Sequence, residues 1–259
     1  MSTLLIDIGN SRIKWARLAR SGRLGPQRAA RYAGWSAQQA RHALFGRARD
    51  IERVLVVSVA PAALERLVTR AAQLHGCAAP IFVRSARRLG PVTTRYREPW
   101  RLGADRLVAA VGAHALVGAR SVCVIDVGTA MTLDLLDPQG VHLGGVIVPG
   151  PELMVASLLA DTAGIERRAR GARRTQRAPR TPFARDTRSA IALGAAYAVA
   201  AAIDRVILEA GARLGRRPAV LLTGGAAAAI RPLLRASAVR LVPDLVLRGL
   251  AKLANSPLR

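Results

Sequence analysis

Apolar positions along the chain follow two rhythms. Unbroken runs of strand length, LLIDI at 4–8 and VLVVSV at 54–59, read as buried strands, because alternation vanishes where both faces of a strand are covered, and IFV at 81–83 and AVLLT at 219–223 read as further strands. Stretches with helical spacing, 61–76, 106–117, 187–210 and 243–255, read as helices. Pro61 opens the first of these and Gly76 closes it, while LGAD precedes the second as its cap region. IKWARL follows LLIDI as a return strand after a turn at Gly9 and Asn10. Strand, helix and strand between 54 and 83 imply a parallel crossover, hence an α/β fold.

One pattern occurs twice. SVCVIDVGTAMTLDLLD at 121–137 restarts the opening of the chain: an apolar strand, an acid, a glycine, a hydroxyl or amide, then a second strand. Asp7-Ile-Gly-Asn is answered by Asp126-Val-Gly-Thr, which places a boundary at Gly118 to Arg120 and two lobes at 1–118 and 119–259. A basic stretch from Glu166 to Arg185 interrupts the second lobe and is expected as an exposed loop. The long alanine-rich helix that follows, apolar on nearly all sides, suits burial or a subunit contact.

Charge changes the picture less than its size suggests. Forty Lys and Arg against 16 Asp and Glu give a formal net charge of +24, which invites a polyanion partner. Yet only Lys14 and Lys252 are lysines, and the arginines are scattered among alanines, as expected of a solvated surface. Cys77 and Cys123 lack disulfide-framework or metal spacing and read as reduced structural thiols. The four histidines, His42, His75, His114 and His142, show no metal spacing and receive no role. Asp7 to Arg23 is too polar for a signal peptide. Of two apolar segments, 141–160 is broken by Pro149, Gly150 and Pro151, and 190–203 falls short of the roughly 20 residues that span a bilayer, so a soluble, cytoplasmic protein is expected.

The repeated turns carry candidate chemistry. A strand that stops at small turn residues brings backbone N–H groups close to a phosphate, and the acid before the glycine is placed to hold magnesium, usually through water. Lys14 can reach phosphate oxygens as a point charge. Two such turns facing across a cleft would hold the phosphates of one nucleotide, with LLTGG at 221–225 as a third glycine turn beside the nucleoside. Neither GxxxxGK[ST] nor GxGxxG occurs. A single DxG turn is also an ordinary hairpin turn; it is the repeat that favours a site.

DIGNSRIKW, YREPWRLGADR (96–106), IDVGTAMTLD (125–134), GGVIVPG (144–150), DTRSAIALG (186–194) and LLTGG occur in an order that resembles type III pantothenate kinases, of the acetate and sugar kinase, heat-shock 70 and actin superfamily. The resemblance implies two similar ribonuclease H-like lobes, the duplicated actin-like ATPase fold, around a nucleotide cleft. It also implies ATP-dependent phosphorylation of pantothenate, the first step toward coenzyme A, with Mg2+, a monovalent cation (K+ or NH4+) and a homodimer whose substrate site lies near the interface. Carried over by position, Asp7, Ile8, Gly9, Asn10, Ser11, Arg12, Ile13 and Lys14 resemble the first phosphate segment, and Thr129 an ATP-phosphate contact. Tyr96, Gly103, Ala104, Asp105, Arg106 and Thr187 resemble substrate contacts, Asp105 the general base, and Asp126 the monovalent-cation ligand.

Plainer roles exist for each. Asp105 suits a helix N-terminus, Arg106 a surface cation, Tyr96 a packing aromatic and Thr187 the N-cap of the long helix. Ser11 stands where threonine is usual in the family, Glu98 where asparagine is frequent, and Ala226 where an acid is common, which puts a polar contact at the nucleoside end in doubt. Two other functions compete: a transcriptional accessory protein on the same fold, with the arginines from Arg167 to Arg188 as a DNA footprint, and a kinase of another small alcohol or acid. The arginine stretch lacks interleaved aromatics apart from Phe183, and no helix-turn-helix pattern is present, so neither a nucleic-acid nor a membrane partner is expected.

Overall fold

The computed structural model describes residues 2–46, 48, 50–162, 164, 183–236 and 238–255. Most of the basic stretch 166–185 therefore lies outside the described residues. The chain forms two compact units. Unit 1 comprises Met1–Arg120, Leu136–Gly144 and Asp244–Arg259, and unit 2 comprises Ser121–Leu135 and Gly145–Pro243.

Unit 1 is organised by a sheet of order β3-β2-β1-β4-β5, with β1 Ser2–Ile8, β2 Ile13–Ala19, β3 Arg28–Ala30, β4 Ile51–Ser58 and β5 Ile81–Val83. β1 pairs antiparallel with β2 and parallel with β4, and β4 pairs parallel with β5 across helix α2 (Ala62–His75), the expected crossover. One face of β1 and β4, with Leu4, Ile6, Ile8, Val54 and Val56, packs on Leu44 and Phe45 of α1 (Ala37–Phe45) and Val68, Ala71 and Ala72 of α2. Residues of opposite parity, Leu5, Leu55 and Val57, are equally buried, which is why these strands read as unbroken apolar runs. α3 (Ala104–Val117) and the last helix, α7 (Leu245–Ala254), both contact β4 and cross each other at glycines. A Cβ on Gly112 would stand 2.5 Å from the Leu245 carbonyl oxygen, and one on Gly249 only 2.0 Å from that of Val108. Two short strands, β6 Arg88–Leu89 and β7 Val92–Thr94, complete the unit, and β7 pairs with Val141 and His142 at the start of β10 (Val141–Pro149).

Unit 2 repeats the plan. β8 (Val122–Val127) and the return strand β9 (Ala130–Leu136) lie in the order β12-β11-β8-β9-β10, with β11 Ala219–Thr223 parallel to both β8 and β12 (Val239–Leu241). Cys123, Ile125, Val127, Met131, Leu133 and Leu222 form a core with Val199, Ala200 and Ile203 of α5 (Thr187–Leu214). The apolar segment 141–160 resolves into β10 and α4 (Pro151–Asp161); Gly150 is the helix N-cap and Pro151 its first residue, so the interruption at 149–151 is the strand-to-helix junction.

α5 runs from Thr187 to Leu214, 28 residues, longer than the apolar stretch that suggested it. By length and composition it is long and apolar enough to cross a membrane, so the length argument against a span does not hold. In its most apolar window 28% is buried, and Tyr197 and Leu208 are exposed. A four-residue helix, α6 (Ala227–Ile230), follows β11.

Candidate active site

The first turn grows from the β1–β2 hairpin. Ile8 pairs with Ile13 and Asp7 with Lys14, which leaves residues 9–12 as the loop, closed by the Gly9 N–H donating to the Arg12 carbonyl at 3.0 Å. That glycine N–H serves the turn itself. Asp7 is only 6% exposed, and the Lys14 ammonium stands 3.9 Å from its Oδ2, so Lys14 also has a local partner. The Tyr32 hydroxyl reaches across from beyond β3 and donates to the carbonyls of Gly9, at 2.9 Å, and Asn10. Burial raises the Tyr32 pKa, which keeps the phenol a donor. Asn10, Ser11 and Arg12 are exposed.

A second cluster in unit 1 sits at the start of α3. A 3-10 turn at Pro99–Arg101 leads from Tyr96 to Gly103, the N-cap of α3. A Cβ on Gly103 would lie 2.6 Å from Asp105 Oδ1 and would displace that carboxylate from its present position. Asp105 occupies the first turn rather than the cap, and its Oδ1 accepts the Arg106 backbone N–H at 2.8 Å. Arg106 is not a surface cation. It is 7% exposed, its Nη1 donates to the Tyr96 hydroxyl at 3.2 Å, and its guanidinium carbon lies 5.7 Å from the Tyr96 ring centroid. Tyr96, Gly103, Ala104, Asp105 and Arg106, separated in the sequence by the 3-10 turn, are thus one contiguous group of carboxylate, guanidinium and phenol.

In unit 2 the second turn is shorter. β8 ends at Val127 and β9 begins at Ala130, so residues 128–129 form the loop, and the Gly128 N–H donates to the Ala130 carbonyl at 3.1 Å. Two other glycine turns press on it. Gly150 N–H donates to the Thr129 carbonyl at 2.9 Å, and Ala226 N–H to that of Val127 at 3.0 Å. A Cβ on Gly150 would be 2.0 Å from the Gly128 carbonyl oxygen; one on Gly224 would be 2.4 Å from Asp126 Oδ1. The GGVIVPG and LLTGG motifs therefore converge on the DVGT turn, with Thr129 exposed at its tip. Thr187 is the first residue of α5, and Asp186, not Thr187, caps it: the Asp186 carboxylate accepts the Ser189 N–H at 2.9 Å, which lowers its pKa.

Asp7 and Asp126 offer hard carboxylate oxygens of the kind magnesium and alkali cations take. At Asp126 the surroundings fit a small cation, because glycines 128 and 224 keep side-chain bulk away from Oδ1. Among the described residues no cluster of three His, Cys, Asp or Glu forms a dedicated metal cage. Four residues around these sites were not legible as motifs: Tyr32 under the first turn, and Arg87, Thr94 and His142 around Tyr96.

The family model described as type III pantothenate kinase matches residues 3–209. The chain belongs to this family. Proteins named type III pantothenate kinase from Nitrosococcus oceani and Herminiimonas arsenicoxydans are 35% and 38% identical to it, each over 97% of this chain and over 93% and 96% of their own length. The family is one of kinases, which use ATP. Among solved structures, a 2-dehydro-3-deoxygalactonokinase-type protein from Sinorhizobium meliloti aligns with TM-score 0.58 at 16% identity, covering 99% of this chain and all of the other. Component A of (R)-2-hydroxyglutaryl-CoA dehydratase from Acidaminococcus fermentans aligns with TM-score 0.54 at 13% identity over 98% of this chain and 96% of its own. At such identities the likeness concerns the fold alone: the duplicated α/β architecture of actin-like ATPases and sugar kinases that the family resemblance implies.

Proposed function

We propose that this pantothenate kinase family member transfers the γ-phosphoryl group of ATP to the primary hydroxyl of pantothenate, giving 4′-phosphopantothenate and ADP, the first step toward coenzyme A. The observation that carries this reading is the group at the start of α3, where Asp105 lies beside the buried Arg106 and Tyr96. Asp105 is the general base: its carboxylate accepts the hydroxyl proton as the substrate oxygen bonds to phosphorus and the bond to ADP breaks. Positioned proton transfer of this kind contributes about 10² to 10⁴ in rate. Tyr96, residues 103–106 at the start of α3 and Thr187 hold the substrate; Arg106, with five donors in a rigid fork, suits its oxygens.

The segment Asp7 to Lys14 and Thr129 take ATP phosphates, with Lys14 exchanging its Asp7 partner for a phosphate oxygen. Asp126 is the ligand for a monovalent cation, K+ or NH4+, and Mg2+ when bound neutralises phosphate charge. The active form is a homodimer in the cytoplasm. Asp7 to Lys14, Tyr96 and residues 103–106 belong to the half 1–118, and Asp126, Thr129 and Thr187 to the half 119–259.

The test is turnover of purified protein with ATP, magnesium and pantothenate, with and without potassium. Asp105→Asn is expected to lose about 10² to 10⁴ in kcat while retaining ATP binding. Near wild-type turnover by that variant removes Asp105 from the base role, and a wild type inactive on pantothenate but active on another small alcohol or acid moves the substrate assignment.

A further inference from the structure

Tyr96 does not stand alone; its backbone is held from three sides. The Thr94 hydroxyl, 3% exposed, accepts the Tyr96 N–H at 3.1 Å and lies 3.0 Å from Nδ1 of His142, itself 1% exposed. A hydroxyl has one proton, and here its oxygen already accepts the amide. The oxygen keeps a second lone pair and the proton, so Thr94 and His142 Nδ1 are joined by one hydrogen bond in which the hydroxyl donates or accepts according to the ring tautomer. The His142 ring then lies 5.8 Å from the Tyr96 ring, tilted by 34°. Main-chain pairing ties the same two segments, since the Arg95 N–H donates to the His142 carbonyl at 3.0 Å and Thr94 stands opposite His142 in the β7–β10 register.

From the exposed side, Arg87 gathers the carbonyls of this segment. Its Nη1 donates to Thr94 O at 2.9 Å and Tyr96 O at 2.7 Å, and its Nη2 to Arg97 O at 3.2 Å. A guanidinium spent on three main-chain carbonyls, opposite a buried Thr–His pair spent on the intervening amide, fixes one backbone conformation at the residue whose side chain meets Arg106.

We infer that Thr94, His142 and Arg87 form a positioning unit that sets the aim of Tyr96 and Arg106, and thereby the affinity for the acceptor substrate. The inference rests on the pantothenate reading of that site. None of the three touches the reacting atoms; they act through Tyr96.

The experiment compares wild type with Thr94→Val, Thr94→Ser, His142→Phe and Arg87→Met, measuring KM for pantothenate, KM for ATP and kcat. Loss of one such hydrogen bond predicts that Thr94→Val and His142→Phe raise KM for pantothenate about five- to tenfold, with kcat and KM for ATP within about twofold of wild type. Thr94→Ser, which keeps the hydroxyl, restores the wild-type value. Arg87→Met, at an exposed side chain, raises the same KM and supplies the answer if a buried variant does not fold. Unchanged KM for pantothenate in the folded variants overturns the inference, as does an equal rise in KM for ATP, which marks a general loss of structure. A wild type that does not turn over pantothenate overturns instead the functional reading on which the inference rests.

Discussion

The two DxG turns share a spelling but are stabilised differently. Around Asp7 the loop is long, residues 9–12, and is held by side chains: Lys14 across the hairpin and Tyr32 beneath two carbonyls. Around Asp126 it is short, residues 128–129, and is held by backbone against backbone, where Gly150 and Gly224 leave no space for a Cβ. A turn held by polar side chains can exchange partners when an anion arrives, whereas a turn packed by main chain on main chain is fixed in advance. That division suits a segment proposed to take phosphates and an acid proposed to hold an ion.

Alanine scanning of the glycines separates the two designs most strongly. Gly150→Ala forces a Cβ to 2.0 Å from a carbonyl oxygen, and Gly224→Ala adds a φ of +99° to a 2.4 Å contact. Both substitutions also meet main chain, the Gly128 carbonyl in the first case and, in the second, the Val127 N and C at 2.5 Å besides the Asp126 carboxylate, so the backbone must move. Each is expected to cost about 3 kcal/mol or more, lowering the thermal midpoint by roughly 6 °C or more. Gly9→Ala meets only the Arg12 carbonyl at 3.4 Å, ordinary contact distance, and is expected to leave the midpoint within about 2 °C while lowering turnover with ATP. Equal destabilisation at all three positions would erase the contrast between the turns.

Much of this arrangement is written locally. β1, β4 and β8 are legible as unbroken apolar runs because both of their faces are covered, and α2 because Pro61 and Gly76 punctuate it; Gly76 does take the left-handed conformation, φ 82°. The Asp105 and Arg106 cluster was named from GADR, yet its interior position was not, since an arginine after a helix start reads equally well as a surface charge. The pairing of Thr94 with His142 spans 48 positions, and the return of α7 to unit 1 rests on single glycines at 112 and 249. Such long-range contacts leave no periodic mark in one sequence. Tyr32 is invisible for the same reason: its function is a hydroxyl delivered to a turn more than twenty residues upstream.

Tyr32→Phe tests the side-chain half of the comparison. The ring is kept and only the donor to Gly9 and Asn10 is removed, at a cost of about 0.5–1.5 kcal/mol. KM for ATP is expected to rise several-fold while KM for pantothenate stays near the wild-type value. If both constants stay at wild type, the phenol is not what fixes the first turn.

The smallest effect concerns the strand that delivers Asp126. Cys123, on β8, is fully buried, and burial followed by the nearby Asp134 carboxylate pushes its thiol from 9.0 up to about 12. Cys77 in unit 1 is only half-buried, with its thiol donating to the Ile51 carbonyl at 3.2 Å, and burial raises its pKa as well. Thiolate is the reactive form, so alkylation at pH 8 is expected to modify Cys77 slowly in the native protein and Cys123 only on unfolding. The folded thiol holds its proton more tightly than the unfolded one. Its contribution to stability is therefore complete below about pH 9 and is lost as pH rises toward about 12. By pH 9.5 the loss is under about 1 kcal/mol, read as the difference in stability slope between wild type and Cys123→Ala. Parallel slopes for the two proteins, or native labelling of Cys123 ahead of Cys77, would mean that β8 opens to water more readily than the packed glycine turn at its end allows.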